Sequence, residues 1–292
     1  SAEDGPGIRT TVFMKGCPLR CIWCHSPQSQ GALQPRLAFY QNRCILCDAC
    51  SSACPQGAQM ISGEARRVRR VLWEKCDHCG LCVQVCPTRA LEMVGEWLTV
   101  DQVMDVVRRD SAYYENSGGG VTFSGGEPTA HPRFLAACAQ QCREEGIHTA
   151  LDTCGFVEWT VLEAVLPHID LFLFDLKHMD SQEHERLTGV SNDLILENLQ
   201  RIDQRAKPIW IRIPLIPGHN DSRENLGEIA EMARHLTAVE MISILPYNSA
   251  AGANYRLIGR DYGLEGLDYS KEREQDILRI FATTEITVEI GG

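Results

Sequence analysis

The stretch MKGCPLRCIWCHSP (residues 14–27) sets Cys17, Cys21 and Cys24 in a CxxxCxxC pattern at the end of TTVFMK, a run with strand character. Three thiolates are one short of the four that close a tetrahedral metal site. Either His25 supplies a fourth ligand to zinc, or one coordination position stays open. An open position is what separates a reactive metal site from a structural one.

Comparable runs recur as GVTFSG, IHTALDT, DLFLFDLK, IWIRIPLI and VEMISILPY, with helical patterns between most of them. Those patterns include TVDQVMDVVRRDSAYY, HPRFLAACAQQCREE, NDLILENLQRIDQRA and SRENLGEIAEMARHL, and EREQDILRIFATT precedes a last strand-like ITVEI. Thr99 and Gln102 have capping-box spacing, which predicts a helix start. Alternation of this kind predicts parallel β/α units. Six main strands predict an α/β fold: a partial, open (β/α)6 barrel of the TIM type, with its chemistry at the carboxyl ends of the strands. The unusual residues fall at those ends. They are the three cysteines, SGGEP (124–128), LDTCG (151–155), Asp175 with Lys177, and LPYN (245–248), while Arg212 lies within the fifth strand.

The 292 residues, 44% hydrophobic and 23% charged, suffice for a large core. A formal net charge of −11 leaves no basic surplus to neutralise phosphates, so neither nucleic acid nor a membrane is an expected partner. No apolar run reaches the roughly 18 residues of a membrane span. Ser1 is not an initiator, so an upstream segment is allowed for, and the cytoplasm is the expected compartment. Fourteen cysteines can mean disulfides, metal or redox chemistry, and eleven of them lie in three tight clusters before residue 87. CxxC steps gather sulfurs round one centre, where a disulfide scaffold would spread them. Oxygen-sensitive clusters also suit a reducing compartment.

The second and third clusters read CILCDACSSACP (Cys44, Cys47, Cys50, Cys54) and CDHCGLCVQVCP (Cys76, Cys79, Cys82, Cys86). Both follow CxxCxxCxxxCP and resemble bacterial two-cluster ferredoxins, in which the fourth cysteine of each run ligates the other cluster. That pattern assigns Cys44, Cys47, Cys50 and Cys86 to one [4Fe-4S] cluster, and Cys76, Cys79, Cys82 and Cys54 to its neighbour. A pair of zinc knuckles is the alternative, although such sites usually set two CxxC steps across a longer loop and often include His. EARRVRR (64–70) reads as a solvated hairpin or loop face, within reach of an acidic electron donor. The expected ferredoxin insert spans residues 31–95 and divides a barrel domain made of residues 1–30 and 96–292.

CxxxCxxC with an aromatic, Trp23, before its last cysteine resembles the signature of radical S-adenosylmethionine enzymes. The resemblance implies a third four-iron cluster on Cys17, Cys21 and Cys24, whose open iron chelates the amino and carboxylate groups of the cofactor's methionine. An electron from it splits the sulfonium and yields a 5'-deoxyadenosyl radical. SGGEP is similar to that family's glycine-rich strand end, which implies that Ser124, Gly125, Gly126 and Glu127 meet the methionine ammonium. EDGPGIRT (3–10), GGGVTFSGGEP, LDTCGF, DLKHMD and WIRIPLIPG, over nearly the whole chain, look like the glycyl-radical-enzyme activating enzymes, and the insert places the chain with those carrying extra clusters. The activator of pyruvate formate-lyase lacks that insert, so the resemblance implies service to another lyase, dehydratase or decarboxylase. Enzymes of choline, isethionate, hydroxyproline, glycerol and arylacetates are activated by proteins of this pattern.

Residue by residue, Asp152, Thr153 and Asp175, with a backbone carbonyl near Leu173, match a site for a monovalent cation (Na or K) beside the cofactor carboxylate. Lys177 matches a lysine on that carboxylate, and Arg212 an arginine on cofactor or peptide. The carboxylate pair could instead cap strand ends or act as acid and base, and Arg212 could be a structural ion pair. Cys154 stands where the formate-lyase type has asparagine, and Asn248, a further cofactor contact, where it has histidine. Asp4, Gly5, Pro6, Gly7 and Arg9 are expected at the barrel mouth, engaging the partner's loop. Cys138 and Cys142, four apart on a helix, read as small packing residues, and His178 and His184 as surface or loop residues.

The expected protein is a monomeric radical enzyme that takes hydrogen from a backbone glycine of a partner glycyl radical enzyme, with a flavodoxin or ferredoxin as electron donor. The two extra clusters are expected to relay that electron, with a partner-docking role as the rival. A radical maturase oxidising a cysteine or serine of a client is a second reading, although its extra cysteines usually follow the barrel. A third is an electron carrier with three fully ligated clusters on an inert scaffold.

Overall fold

The computed structural model describes residues 4–63, 67–267 and 269–291. Strand β1 (Arg9–Met14) opens the chain. The cysteine-rich segment then forms β2 (Arg36–Phe39), α1 (Ala49–Ala53), β3 (Gln59–Ser62), β4 (Val68–Val71), α2 (Leu81–Gln84) and β5 (Leu91–Val94). Regular alternation follows: α3 (Val100–Arg109), α4 (Ser111–Ser117), β6 (Gly120–Gly125), α5 (Pro132–Glu144), β7 (His148–Thr153), α6 (Trp159–Val165) and β8 (Leu171–Asp175). The chain continues through α7 (Ser181–Thr188), α8 (Asp193–Gln204), β9 (Ile209–Leu215), α9 (Arg223–His235), β10 (Val239–Pro246), α10 (Ala251–Leu257), α11 (Glu274–Phe281) and β11 (Thr287–Ile290).

Among the described residues, seven strands form one sheet in the order β1-β6-β7-β8-β9-β10-β11, every neighbouring pair parallel. Apolar patterning explains the arrangement. Strand β8 is apolar on both faces, with Leu171, Phe172, Leu173 and Phe174 all buried, as expected of a central strand covered on each side. Strand β9 alternates: Ile209, Ile211 and Ile213 join the main core with Phe172, Phe174 and Leu199, while Trp210 packs with Ala150, Leu171 and Leu173 on the opposite face. Two residues beyond Ala150, Leu173 and Trp210 on that same face stand Asp152, Asp175 and Arg212. Strand periodicity therefore carries three charged side chains above an apolar floor.

The insert pairs β2 with β5 and β3 with β4, both antiparallel, around Leu37, Cys50, Val71, Cys82 and Leu91. Several expectations change. The first helical pattern is two helices, because Asp110 leaves helical geometry between α3 and α4 and accepts a hydrogen bond from Thr10 in β1. The Thr99–Gln102 capping box is present, with both reciprocal bonds. ITVEI joins the main sheet as its seventh strand, β11. Arg69 is not solvated; it is 3% exposed and donates to Ser51 and Asp48, while Glu64–Arg66 of the same run lie outside the described residues. His184 is buried, its ring held on the Val190 carbonyl, whereas His178 is half-buried. Cys138 and Cys142 are wholly buried core thiols, with Cys142 against Met104.

Candidate functional site

A cavity of about 220 Å³ opens at the carboxyl ends of the strands, lined by Cys17, Cys21, Cys24 and Trp23 on one side and by Asp152, Thr153, Cys154, Asp175, Lys177 and Arg212 on the other. Burial pushes the Cys21 thiol up to about 12 and raises Cys24 as well, so protons leave these sulfurs only when a metal competes for them. Cys17 is lowered, because the Cys154 thiol donates a hydrogen bond to it, and the same bond raises Cys154.

The glycines of SGGEP hold the cysteine loop by backbone contact. Gly126 N donates to Met14 O (2.7 Å) and Glu127 N to Gly16 O (2.6 Å), and a Cβ on Gly126 would fall 2.2 Å from that Gly16 oxygen. Ser124 donates to Asp152 at 2.6 Å. Buried Glu127 is anchored by four donors: the Thr129 N–H and hydroxyl and the Thr153 hydroxyl on Oε1, and the Cys154 N–H on Oε2. It lines a neighbouring pocket with Cys17 rather than the main cavity, and Oε2 keeps room for one more donor.

Arg212 is the hub of the charged group. Its Nη1 lies 3.1 Å from Asp152 and 3.9 Å from Asp4, and its Nε 4.0 Å from Asp175. Lys177 Nζ holds the other Asp175 oxygen at 2.6 Å. Burial works against the Lys177 ammonium, but Asp175 and the nearby Cys21 and Cys154 outweigh it and raise its pKa. Asp152 is pushed up to about 6 by burial, with Arg212 opposing and Asp175 adding to the rise. Among the described residues, no three His, Cys, Asp or Glu side chains are gathered tightly enough to ligate a single ion. A four-iron cluster holds its thiolates farther apart than one ion does.

The Asp4–Arg9 segment is not at the carboxyl-end mouth. Arg9 and Gly120 pair at the amino ends of β1 and β6, where Arg9 is 2% exposed and donates to Thr122 Oγ1, Pro6 O and Val121 O. Its guanidinium turns inward because those carbonyls need donors, and so it latches the Gly5–Gly7 turn. A Cβ on Gly7 would meet Gly119 N at 2.5 Å. Asp4 alone points toward the site, accepting from Thr11 while facing Arg212. Asn248 is exposed and outside the cavity lining, with its side chain turned back onto Ala250 N. Tyr247, within the LPYN strand end, lines the cavity as well. One contributor escaped the sequence reading: buried Gln30, which lies in no motif and whose Nε2 donates to Cys21 O.

In the insert, one small pocket collects Cys44, Cys47, Cys50 and Cys86 with Phe39, Ile45 and Val85. Burial raises the Cys82 thiol most, and Cys76, Cys50, Cys54 and Cys79 add to the rise, while Cys54 and Cys79 also raise Cys76. The first run thus gathers with Cys86, the last cysteine of the second. The donor sets fit four-iron clusters.

Sequence comparison agrees with this chemistry. The profile of the radical SAM superfamily matches residues 73–233, and that of a 4Fe-4S dicluster domain matches residues 38–93. The chain is 41% identical over 267 residues to the isethionate sulfite-lyase activating enzyme of Oleidesulfovibrio alaskensis, covering 89% of this chain and 84% of that one. It is 40% identical over 296 residues to the trans-4-hydroxy-L-proline dehydratase activating enzyme of Clostridioides difficile, covering 100% and 96%. A crystal structure of a domain of pyruvate-formate lyase-activating enzyme from Bacteroides vulgatus superposes with a TM-score of 0.51 at 36% identity, covering 60% of this chain and all of that one. The fold is that of the radical SAM superfamily. Within it, the chain belongs to the glycyl-radical-enzyme activating enzymes.

Proposed function

We propose that this activating enzyme binds S-adenosylmethionine over a four-iron cluster held by Cys17, Cys21 and Cys24, and acts on a glycine-bearing loop of a lyase, dehydratase or decarboxylase. When bound, cluster and cofactor supply a 5'-deoxyadenosyl radical able to take hydrogen from a backbone glycine. The observation that carries this reading is the single cavity that joins the three thiols to Asp152, Asp175, Lys177 and Arg212. Lys177 offers a buried ammonium to a carboxylate and Trp23 walls the cavity against water, while Glu127 Oε2, in the adjoining pocket that shares Cys17, offers an acceptor to an ammonium. The ends of an amino acid are complementary to that pair. Asp4, Asp152 and Asp175 outnumber Arg212 and Lys177 by one charge, a balance that suits a monovalent cation, sodium or potassium, with Thr153 and a Leu173 carbonyl as further oxygens. Around the cavity, the sheet is read as a partial (β/α)6 barrel extended by β11.

The insert is read as two further [4Fe-4S] clusters, three in all, fed by a flavodoxin or ferredoxin. The enzyme is taken as a cytoplasmic monomer, and no helix among the described residues is long and apolar enough to cross a membrane. The test is anaerobic. Reconstituted protein should bind about twelve irons, and the Cys17→Ala, Cys21→Ala, Cys24→Ala variant should lose about a third of them with all cofactor cleavage. Continued 5'-deoxyadenosine formation by that variant would sink the assignment. Partner identity follows from which co-purified enzyme acquires a glycyl radical signal in electron paramagnetic resonance.

A further inference from the structure

Besides its two chain connections, the insert is seated on the sheet domain through Trp73, whose carbonyl accepts from Cys76 N at the start of the second cysteine run. The indole lies in the space a side chain at Gly259 would need: a Cβ there would fall 1.7 Å from Trp73 Nε1. The next residue, Arg260, donates to Gln30 Oε1 (2.9 Å) and Pro27 O (3.3 Å), and Gln30 Nε2 donates to Cys21 O (3.0 Å). Packed contacts thus run unbroken from the Cys76 run through Trp73, Gly259, Arg260 and Gln30 to the CxxxCxxC loop.

The other run presents a different face. Cys47 is exposed beside Ile45 (63% exposed) and Val85 (41%), which line the pocket of Cys44, Cys47, Cys50 and Cys86. At the position of Ile45 the second run has Asp77, exposed and acidic. Residues 31–95 carry eight Arg and Lys against five Asp and Glu, whereas the rest of the chain carries twenty against thirty-four. Arg43 and Arg89 flank the patch, sharing Glu92 at 3.1 and 3.3 Å, and Arg67, Arg70 and Lys75 are exposed. An acidic protein is repelled by most of this molecule and admitted by the insert.

Building on the three-cluster reading, we infer that the insert is an ordered relay. An acidic, low-potential one-electron carrier protein docks on the Ile45–Val85 face, and the electron leaves through the cluster of Cys76, Cys79, Cys82 and Cys54 by the Trp73–Gly259 seat to the cluster of Cys17, Cys21 and Cys24. At each transfer the giver is oxidised by one electron and the receiver reduced by one. No bond is made or broken, and no proton moves.

Holoenzyme carrying Gly259→Ala, Gly259→Ala with Trp73→Ala, Ile45→Glu or Leu81→Glu is compared with the unchanged protein. Leu81 is the control, an apolar residue 41% exposed in the second run. Iron is counted first, and an unchanged protein well short of about twelve irons overturns the three-cluster reading itself. Freeze-quenched samples then follow cluster reduction by electron paramagnetic resonance, with a reduced plant-type ferredoxin or with dithionite. Gly259→Ala is expected to lose the fast carrier-driven reduction of the Cys17 cluster while the insert clusters still reduce quickly. Dithionite should reduce the Cys17 cluster at the unchanged rate, and Trp73→Ala, which clears every ring atom from the space at Gly259, should restore the fast phase. Ile45→Glu should raise the carrier's Kd about tenfold or more at low salt, with Leu81→Glu leaving it unchanged. An unaltered fast phase in Gly259→Ala, no rescue by Trp73→Ala, or equal weakening by the two glutamates overturns the inference.

Discussion

Asp152 shows how one side chain can be tuned by its register position. It sits on the face of β7 opposite the main core, beside Arg212 and within the field of Asp175, and burial pushes its carboxyl up to about 6. If its charge helps hold the cofactor or an accompanying cation, affinity must depend on pH. Above about 6 the carboxylate is ionised and binding is strong; as pH falls through that value, protonation removes the charge and binding weakens. Cofactor affinity measured between about pH 5 and 8 by anaerobic calorimetry is expected to show this fall, and Asp152→Asn to flatten it. A pH-independent affinity in the unchanged protein would remove Asp152 from the site. Cys154 acts differently, through its hydrogen bond to Cys17.

Among the elements, the turn after β6 makes the strictest demand on residue type. Gly126 has ordinary backbone angles, so the constraint there is room: the Gly16 carbonyl lies where a Cβ would go. Gly126→Ala is expected to displace the cysteine loop and lose the iron of the Cys17 cluster, about a third of the total, while the insert's iron stays. Full iron content and unchanged cofactor cleavage in that variant would contradict the packing account. Helix α3 offers a milder case. Thr99→Ala removes the side-chain acceptor of its capping box and should cost about 1 kcal/mol in urea unfolding of the apoprotein, with no effect on cluster content.

For the whole molecule, the relevant contrast is between two cores of unequal size. The sheet domain packs Phe123, Phe172, Phe174, Phe281 and many aliphatic residues out of water, whereas the insert buries Leu37, Val71 and Leu91 with two cysteines. So small an apolar core rarely stabilises a fold without help, and metal binding supplies that help elsewhere. In metal-free protein, hydrogen exchange is therefore expected to be slow across β6 to β10 and fast across residues 36–94. Clusters should restore protection to the insert. Equal protection of both parts without metal would show that the insert folds unaided.

Much of this was legible in the sequence for a physical reason: strand and helix periodicities, capping spacings and CxxC steps are local, set by residues within a turn or two of one another. The alternation of parallel strands and helices, the Thr99 cap and the three cysteine runs could be read that way. Tertiary structure alone decided what depends on residues far apart in the chain. Sheet register sets Arg212 against Asp175 and brings Asp152 to the same face, so that an arginine hidden in a hydrophobic strand becomes the hub of three carboxylates. The same long-range pairing turned Arg9 inward, because the carbonyl it bonds belongs to Val121, 112 residues away. Seating Trp73 on Gly259 joins segments even farther apart; Gly259 sits at positive φ in the turn after α10, and no local pattern shows that a distant indole also needs its bare Cα. Contacts of this kind arise only when the sheet closes up its strands, since backbone pairing, rather than any side-chain motif, fixes which distant residues share a face.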